Sequence, residues 1–294
     1  MAQTQMALDS LDFDSTVALA TKVAPHVDIL EIGTPCIKHN GIELLKTLRA
    51  KFPNNKILVD LKTMDAGFYE AEPFYKAGAD ICTVLGTADI GTIKGVIDVA
   101  NKYGKMAQVD LINVADKKAR TLEVAKLGAH IIGVHTGLDQ QAAGQTPFAD
   151  LALITGLNTG AKVSVAGGVK AATVRQVVDA GADIVVAGAA IYGAADPAAS
   201  AAEITGLARA NSASAGGMGK YLPWALIAGA VLLGLYLLTG NKPAEEKPAE
   251  TPAVEEAMPA AETPMEAAPE EVAPIEAAPV ESAPAADAAP TAKE

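Results

Sequence analysis

The chain has 294 residues and a formal net charge of −12, of which residues 241–294 carry −10 through 13 acids and 3 lysines, leaving −2 for the rest. That nearly neutral remainder has no basic stripe of the kind that binds nucleic acid. Its two cysteines, Cys36 and Cys82, exclude a disulfide framework or a cysteine-rich metal site.

Composition divides the chain into residues 1–210, rich in Val, Ile, Ala and Gly, a linker at 211–220, an apolar stretch at 221–239, and an acidic Pro/Ala-rich tail at 240–294. The first 25 residues have neither a basic n-region nor an apolar h-region, so no secretory leader is expected and residues 1–210 read as cytoplasmic.

In chain order, strands are expected near 5–8, 28–32, 56–61, 80–85, 107–112, 130–134, 162–166 and 184–187. Helical stretches are expected near 14–24, 40–51, 67–77, 91–102, 115–126, 147–156, 171–179 and 197–209. An internal repeat supports this alternation. Lys76-Ala-Gly-Ala-Asp-Ile-Cys-Thr-Val84 matches Lys126-Leu-Gly-Ala-His-Ile-Ile-Gly-Val134 and Asp179-Ala-Gly-Ala-Asp-Ile-Val-Val-Ala187. Each copy reads as a helix end, a glycine exit and a buried parallel strand. Recurrence at about twice the length of a βα unit favours a cyclic array. Eight βα units in about 210 residues predict an α/β fold, a (β/α)8 TIM barrel. A doubly wound open sheet is the alternative, but no Gly-x-Gly-x-x-Gly follows the first strand.

TIM barrels carry their chemistry at the C-terminal ends of the strands. Those ends read Asp9, Glu31, Asp60 with Lys62, Asp110, His135, Gly167-Gly168, and Gly188 with Ala189. Side chains alternate along a strand, so Asp60 and Lys62 share a face. A surface salt-bridge cluster would explain three such residues alone; a ring of them at matching positions calls for a ligand.

Glu31 and Asp60 are oxygen donors suited to magnesium, which takes one or two carboxylates and completes its shell with water and substrate. Lys62 and Asp9 would hold substrate hydroxyls, and His135 is the natural proton shuttle near neutral pH. His26, His39 and His130 fall at helix ends, loops or strand starts and read as structural. Gly167 and Gly168 after the seventh strand, with Gly188 and Ala189 after the eighth, occupy the two loops that often bind phosphate in this fold.

The ordered motifs Ala7-Leu8-Asp9, Glu31-Ile-Gly-Thr-Pro35, Asp60-Leu-Lys62-Thr-Met-Asp65, His135-Thr-Gly-Leu-Asp139, Ala166-Gly-Gly168 and Ala187-Gly188 resemble the 3-hexulose-6-phosphate synthases. These belong to the orotidine 5′-phosphate decarboxylase superfamily of TIM barrels, and the resemblance covers residues 1 to about 208. It implies a magnesium-dependent aldol condensation of formaldehyde with ribulose 5-phosphate through an enediolate. Glu31 and Asp60 would ligate the magnesium, Asp9 and Lys62 would contact substrate, and His135 would transfer protons. Asp65 would be supplied across a homodimer interface to the neighbouring site. A rival is 3-keto-L-gulonate-6-phosphate decarboxylase, which carries an arginine three positions after the matching histidine, where this chain has Leu138. Ribulose-phosphate 3-epimerase is a weaker rival, since it expects paired metal-binding histidines.

Residues 221–238 contain no charge, and 18 residues at about 1.5 Å each reach roughly 27 Å, close to a bilayer core of about 30 Å. Tyr221, Trp224 and Tyr236 sit near its ends, as interfacial aromatics do. A single transmembrane helix is therefore expected, anchoring the barrel to the inner membrane. The tail, with ten prolines in 54 residues, is expected to be disordered. A membrane-associated interaction protein with a non-catalytic barrel is the alternative from another class. The intact set of Asp9, Glu31, Asp60, Lys62 and His135 favours the enzyme.

Overall fold

The structure is a computed structural model and describes residues 1–210. Eight parallel strands close into a barrel in sequence order: β1 (Gln3–Leu8), β2 (Ile29–Ile32), β3 (Lys56–Thr63), β4 (Ile81–Leu85), β5 (Met106–Asp110), β6 (Ile131–His135), β7 (Lys162–Ala166) and β8 (Ile184–Ala187). Pairing of β1 with β8 removes both sheet edges.

Ten helices accompany the strands among the described residues. They are α1 (Phe13–Val23), α2 (Thr34–Lys51), α3 (Gly67–Lys76), α4 (Ile90–Lys102), α5 (Lys117–Lys126), α6 (Leu138–Ala142), α7 (Phe148–Thr155), α8 (Ala171–Asp179), α9 (Ala189–Tyr192) and α10 (Pro197–Arg209). Each strand and helix expected within residues 1–210 is present, with ends moved by a few residues. Three features go beyond the sequence reading. Helix α2 starts directly after β2 and bends at Gly41 (φ 62°, ψ −163°), and the short helices α6 and α9 follow β6 and β8.

Strand alternation sorts side chains into two cores. One face of the strands packs against the helices, through residues such as Leu30, Ile57, Cys82, Val109, Ile132 and Val185. The other fills the barrel with a small apolar layer of Ile29, Leu58, Ile81, Ile131, Ile184 and Val186. One step toward the C-terminal ends, the same inward parity brings Gln5, Glu31, Asp60, Thr83, Gln108 and Ser164. A further step brings Lys62, Asp110 and His135. The barrel thus changes from apolar to polar along its axis.

The repeat has a structural cause at the opposite end. Its glycine leaves each helix at positive φ (Gly78 107°, Gly128 88°, Gly181 96°). The polar residue before the next strand then accepts a backbone N–H of the preceding strand: Asp80 from Ile57 at 2.9 Å, His130 Nδ1 from Ala107 at 3.2 Å, and Asp183 from Val163 at 2.8 Å. Asp28, outside the repeat, does the same for Thr4 at 2.8 Å. These four latches fix strand register at the starts of the strands, opposite the polar end of the barrel. They also place His130 in the structural role expected of it.

The expected linker, transmembrane helix at 221–239 and acidic tail lie outside the described residues. Among the described residues no helix is long and apolar enough to cross a membrane.

Candidate active site

The strand ends bring Asp60, Lys62, Asp110 and His135 into one connected network. Lys62 Nζ donates to Asp60 Oδ2 at 2.6 Å and to Asp110 Oδ2 at 3.2 Å. Asp110 Oδ2 also meets His135 Nδ1 at 2.9 Å, and Asp110 Oδ1 accepts the Ile112 N–H at 2.9 Å. Asp60 takes two further hydroxyl bonds, from Thr34 to Oδ2 and from Thr83 to Oδ1, each at 2.7 Å. Asp60 and Asp110 are buried, and each is paired and multiply hydrogen-bonded, as a buried carboxylate requires.

Electrostatics follow from this arrangement. Burial opposes the Lys62 ammonium, but Asp60 and Asp110 outweigh it and hold its pKa above the ordinary lysine value. Burial likewise opposes the Asp110 carboxylate, yet His135 and Lys62 carry it below the usual range. His135 loses water on burial and is nonetheless raised, chiefly by its hydrogen bond to Asp110. With Asp110 as a pure acceptor, the neutral imidazole carries its proton on Nδ1 and leaves Nε2 as a base.

Glu31 sits one step deeper, where Gln5 Nε2 donates to its Oε2 at 2.7 Å. Desolvation, then the Asp60 charge, push Glu31 up to about 8. A carboxylate so disfavoured beside a second one is a place where a cation would be stabilising. Gln5 Oε1, buried, has no hydrogen-bond partner there. Among the described residues no three His, Cys, Asp or Glu side chains are grouped to hold a metal on their own. Two carboxylates with the remaining positions left to water and substrate match magnesium's habit, so the donor set fits that ion.

Asp9 is positioned by a close approach. A Cβ on Gly33 would lie 2.1 Å from Asp9 Oδ1 and 3.0 Å from the Leu8 carbonyl, so only glycine leaves room for the carboxylate. Desolvation and Asp60 raise the Asp9 pKa, with Lys62 and His135 opposing. Asp9 Oδ2 is 3.5 Å from where a Cβ on Gly188 would stand, placing the β8 loop beside it. Gly167 has φ 110°, and its Cβ would meet the Thr136 carbonyl at 2.4 Å. Gly168 follows at φ 71°, while Gly188 and Ala189 lead into α9.

Asp65 is the one expected catalytic residue that the fold leaves outside the network. It is exposed, and its Oδ1 accepts the neighbouring Ala66 N–H at 2.7 Å. Thr34, Thr83 and Gln5, by contrast, contact the acids directly, and the sequence assigns none of them a role, Thr34 entering only as part of the Glu31–Pro35 motif. In the sequence they are ordinary strand and helix-start residues with no spacing signal.

The Orotidine 5′-phosphate decarboxylase / HUMPS family model matches residues 2–204. The chain is 88% identical over 209 residues to the 3-hexulose-6-phosphate synthase of Methylomonas aminofaciens, which covers 71% of this chain and 100% of that protein. It superposes on the crystal structure of 3-hexulose-6-phosphate synthase from Salmonella typhimurium with a TM-score of 0.69 at 40% identity, covering 70% of this chain and 98% of that one. A 3-keto-L-gulonate-6-phosphate decarboxylase structure from Vibrio cholerae is similar at TM-score 0.64 and 26% identity, covering 70% of this chain and 97% of that one. With the barrel and the strand-end residues in place, the chain belongs to the orotidine 5′-phosphate decarboxylase / HUMPS family.

Proposed function

We infer that the protein is a 3-hexulose-6-phosphate synthase, an aldehyde-lyase joining formaldehyde to D-ribulose 5-phosphate to give D-arabino-hex-3-ulose 6-phosphate. The observation that carries this is the 88% identity to a synthase across that relative's whole length. The hydrogen-bonded Asp60–Lys62–Asp110–His135 network supports it in chemistry.

The reaction needs a base at C1 of the ketose, stabilisation of the enediolate, and a proton for the new alkoxide. His135 Nε2, left free by the Nδ1 bond to Asp110, takes the C1 proton. The Lys62 ammonium, kept charged by two acids, faces the developing enediolate oxygens. C1 then forms a bond to the formaldehyde carbon, and the imidazolium returns a proton to the oxygen that was formaldehyde's carbonyl. Glu31 and Asp60 are the residues that would hold magnesium, which supplies Lewis-acid stabilisation of negative charge when bound. Asp9, wedged against Gly33, orients substrate hydroxyls. The backbone of Gly167, Gly168, Gly188 and Ala189 receives the phosphate.

We assign Asp65 to the neighbouring site of a homodimer, because within one chain it stands apart from the network. The apolar sequence 221–239 supports a location at a membrane. The decarboxylase reading is disfavoured by Leu138, which stands where the resemblance places that enzyme's arginine.

The direct test is incubation with ribulose 5-phosphate and carbon-13 formaldehyde. A new hydroxymethyl signal coupled to ketose carbon supports the assignment. Its absence, with carbon dioxide released from 3-keto-L-gulonate 6-phosphate instead, transfers the chain to the decarboxylases.

A further inference from the structure

Strands β3 and β4 do not run in continuous register. Leu58 pairs with Ile81 and Val59 with Cys82, and pairing resumes with Thr63 opposite Val84. Asp60, Leu61 and Lys62 therefore stand against a single residue of β4, Thr83. An irregularity of this kind leaves ladder groups unpaired and re-aims side chains. Here it puts Lys62 into the left-handed region at φ 47°, a conformation that a lysine rarely adopts.

Thr83 closes the gap with its side chain. Its buried hydroxyl accepts the Lys62 N–H at 2.9 Å and donates to Asp60 Oδ1 at 2.7 Å. A carboxylate only accepts and an amide N–H only donates, so both roles of this hydroxyl are committed. One atom thus ties the backbone of the lysine to the carboxylate two residues before it.

We propose that Thr83 is a positioning residue for the aldol reaction, locking Asp60 and Lys62 into one arrangement across the β3 irregularity. This rests on the reading of Asp60 and Lys62 as parts of the reaction centre. Valine has the shape of threonine and cannot make either bond, while serine can make both.

The full chain is compared with its Thr83→Val and Thr83→Ser variants. Thr83→Val should lower kcat about tenfold to a hundredfold, the scale on which supporting hydrogen bonds act in such sites. Its KM for ribulose 5-phosphate should stay within about threefold, because the phosphate loops are untouched. Thr83→Ser should keep wild-type kcat within about threefold. Deuterium uptake in segment 59–65 should be faster in Thr83→Val than in the wild type, and restored in Thr83→Ser.

Wild-type kcat in Thr83→Val, or a Thr83→Ser variant as slow as Thr83→Val, overturns the proposal. If Thr83→Val does not fold, Thr83→Ala takes its place against Thr83→Ser, with the same order expected and wild-type kcat in Thr83→Ala overturning it. A wild-type chain that forms no product refutes the synthase assignment instead. The deuterium comparison then still decides whether Thr83 holds the segment, and unchanged uptake in Thr83→Val overturns that.

Discussion

Asp110 Oδ2 and His135 Nδ1 meet at 2.9 Å across neighbouring strands, β5 and β6. The same carboxylate also receives Lys62 at 3.2 Å, so one buried acid serves both the lysine and the histidine of the site. Its removal should therefore change the site's pH behaviour as well as its rate.

Asp110→Asn should lower the His135 pKa, because burial then acts without the opposing hydrogen bond to a charged acid. Stability follows by linkage. His135 is raised in the folded state, so its contribution is full below the unfolded value of about 6.5 and is lost as pH rises through the folded value. Asp110 is lowered, so its contribution is present above about 3.9 and is lost as pH falls through its folded value. The wild type should exceed the variant in urea midpoint most between about pH 4 and 6.5, with the gap narrowing toward pH 8. A gap independent of pH would contradict the pairing.

Gly33→Ala tests the Asp9 pocket. The added methyl would fall 2.1 Å from Asp9 Oδ1, and Gly33 itself has φ −61°, which alanine adopts freely. The effect should therefore be steric displacement of the carboxylate. KM for ribulose 5-phosphate should rise or kcat/KM fall by about tenfold or more, with the circular dichroism spectrum retained. Unchanged kinetics would remove Asp9 from substrate contact.

Asp80 lies at the other end of the barrel. It accepts from Arg49, from Lys105 at 2.6 Å and from the Ile57 N–H at 2.9 Å. Asp80→Ala should cost about 3 kcal/mol, a thermal midpoint lower by roughly 6–12 °C, since it strands partly buried donors. Turnover by the folded fraction should be unchanged, because this end supports stability and not chemistry. Thermal melts and active-site-normalised rates check the two halves.

Asp65 can be tested by mixing two inactive variants, Asp60→Ala and Asp65→Ala. If Asp65 serves the partner's site, half of the exchanged dimers are mixed and each has one complete site. About a quarter of wild-type activity should return on subunit exchange. No recovery in exchanged dimers would place Asp65 outside the partner's site.

Much of this architecture is legible in the sequence, for physical reasons. Buried parallel strands are continuous apolar runs, and the repeat of Gly-Ala, a polar Asp or His, and Ile marks helix exit and strand start at offsets of 50 and 53 residues. Asp60, Lys62 and His135 stand out because charged groups at the ends of such runs are costly unless used. Thr83 does not stand out: in Ile81-Cys-Thr-Val84 a threonine is an ordinary strand former, and its two bonds arise only from the irregular register opposite it. The left-handed Lys62 is hidden for the same reason, since tertiary context overrides its local preference. Helices α6 and α9, at 5 and 4 residues, are too short to show a helical period. The repeat's polar residue reads as a spacing signal, while its role as a latch needs the neighbouring strand.

The strand-end residues are proposed to condense formaldehyde with ribulose 5-phosphate. The most direct measurement is formaldehyde consumption by the full chain with ribulose 5-phosphate, with and without magnesium, beside its Asp60→Ala variant. Consumption should depend on magnesium and fall by at least about a hundredfold in the variant. No consumption by folded wild-type protein, or equal rates in wild type and variant, would contradict that proposal.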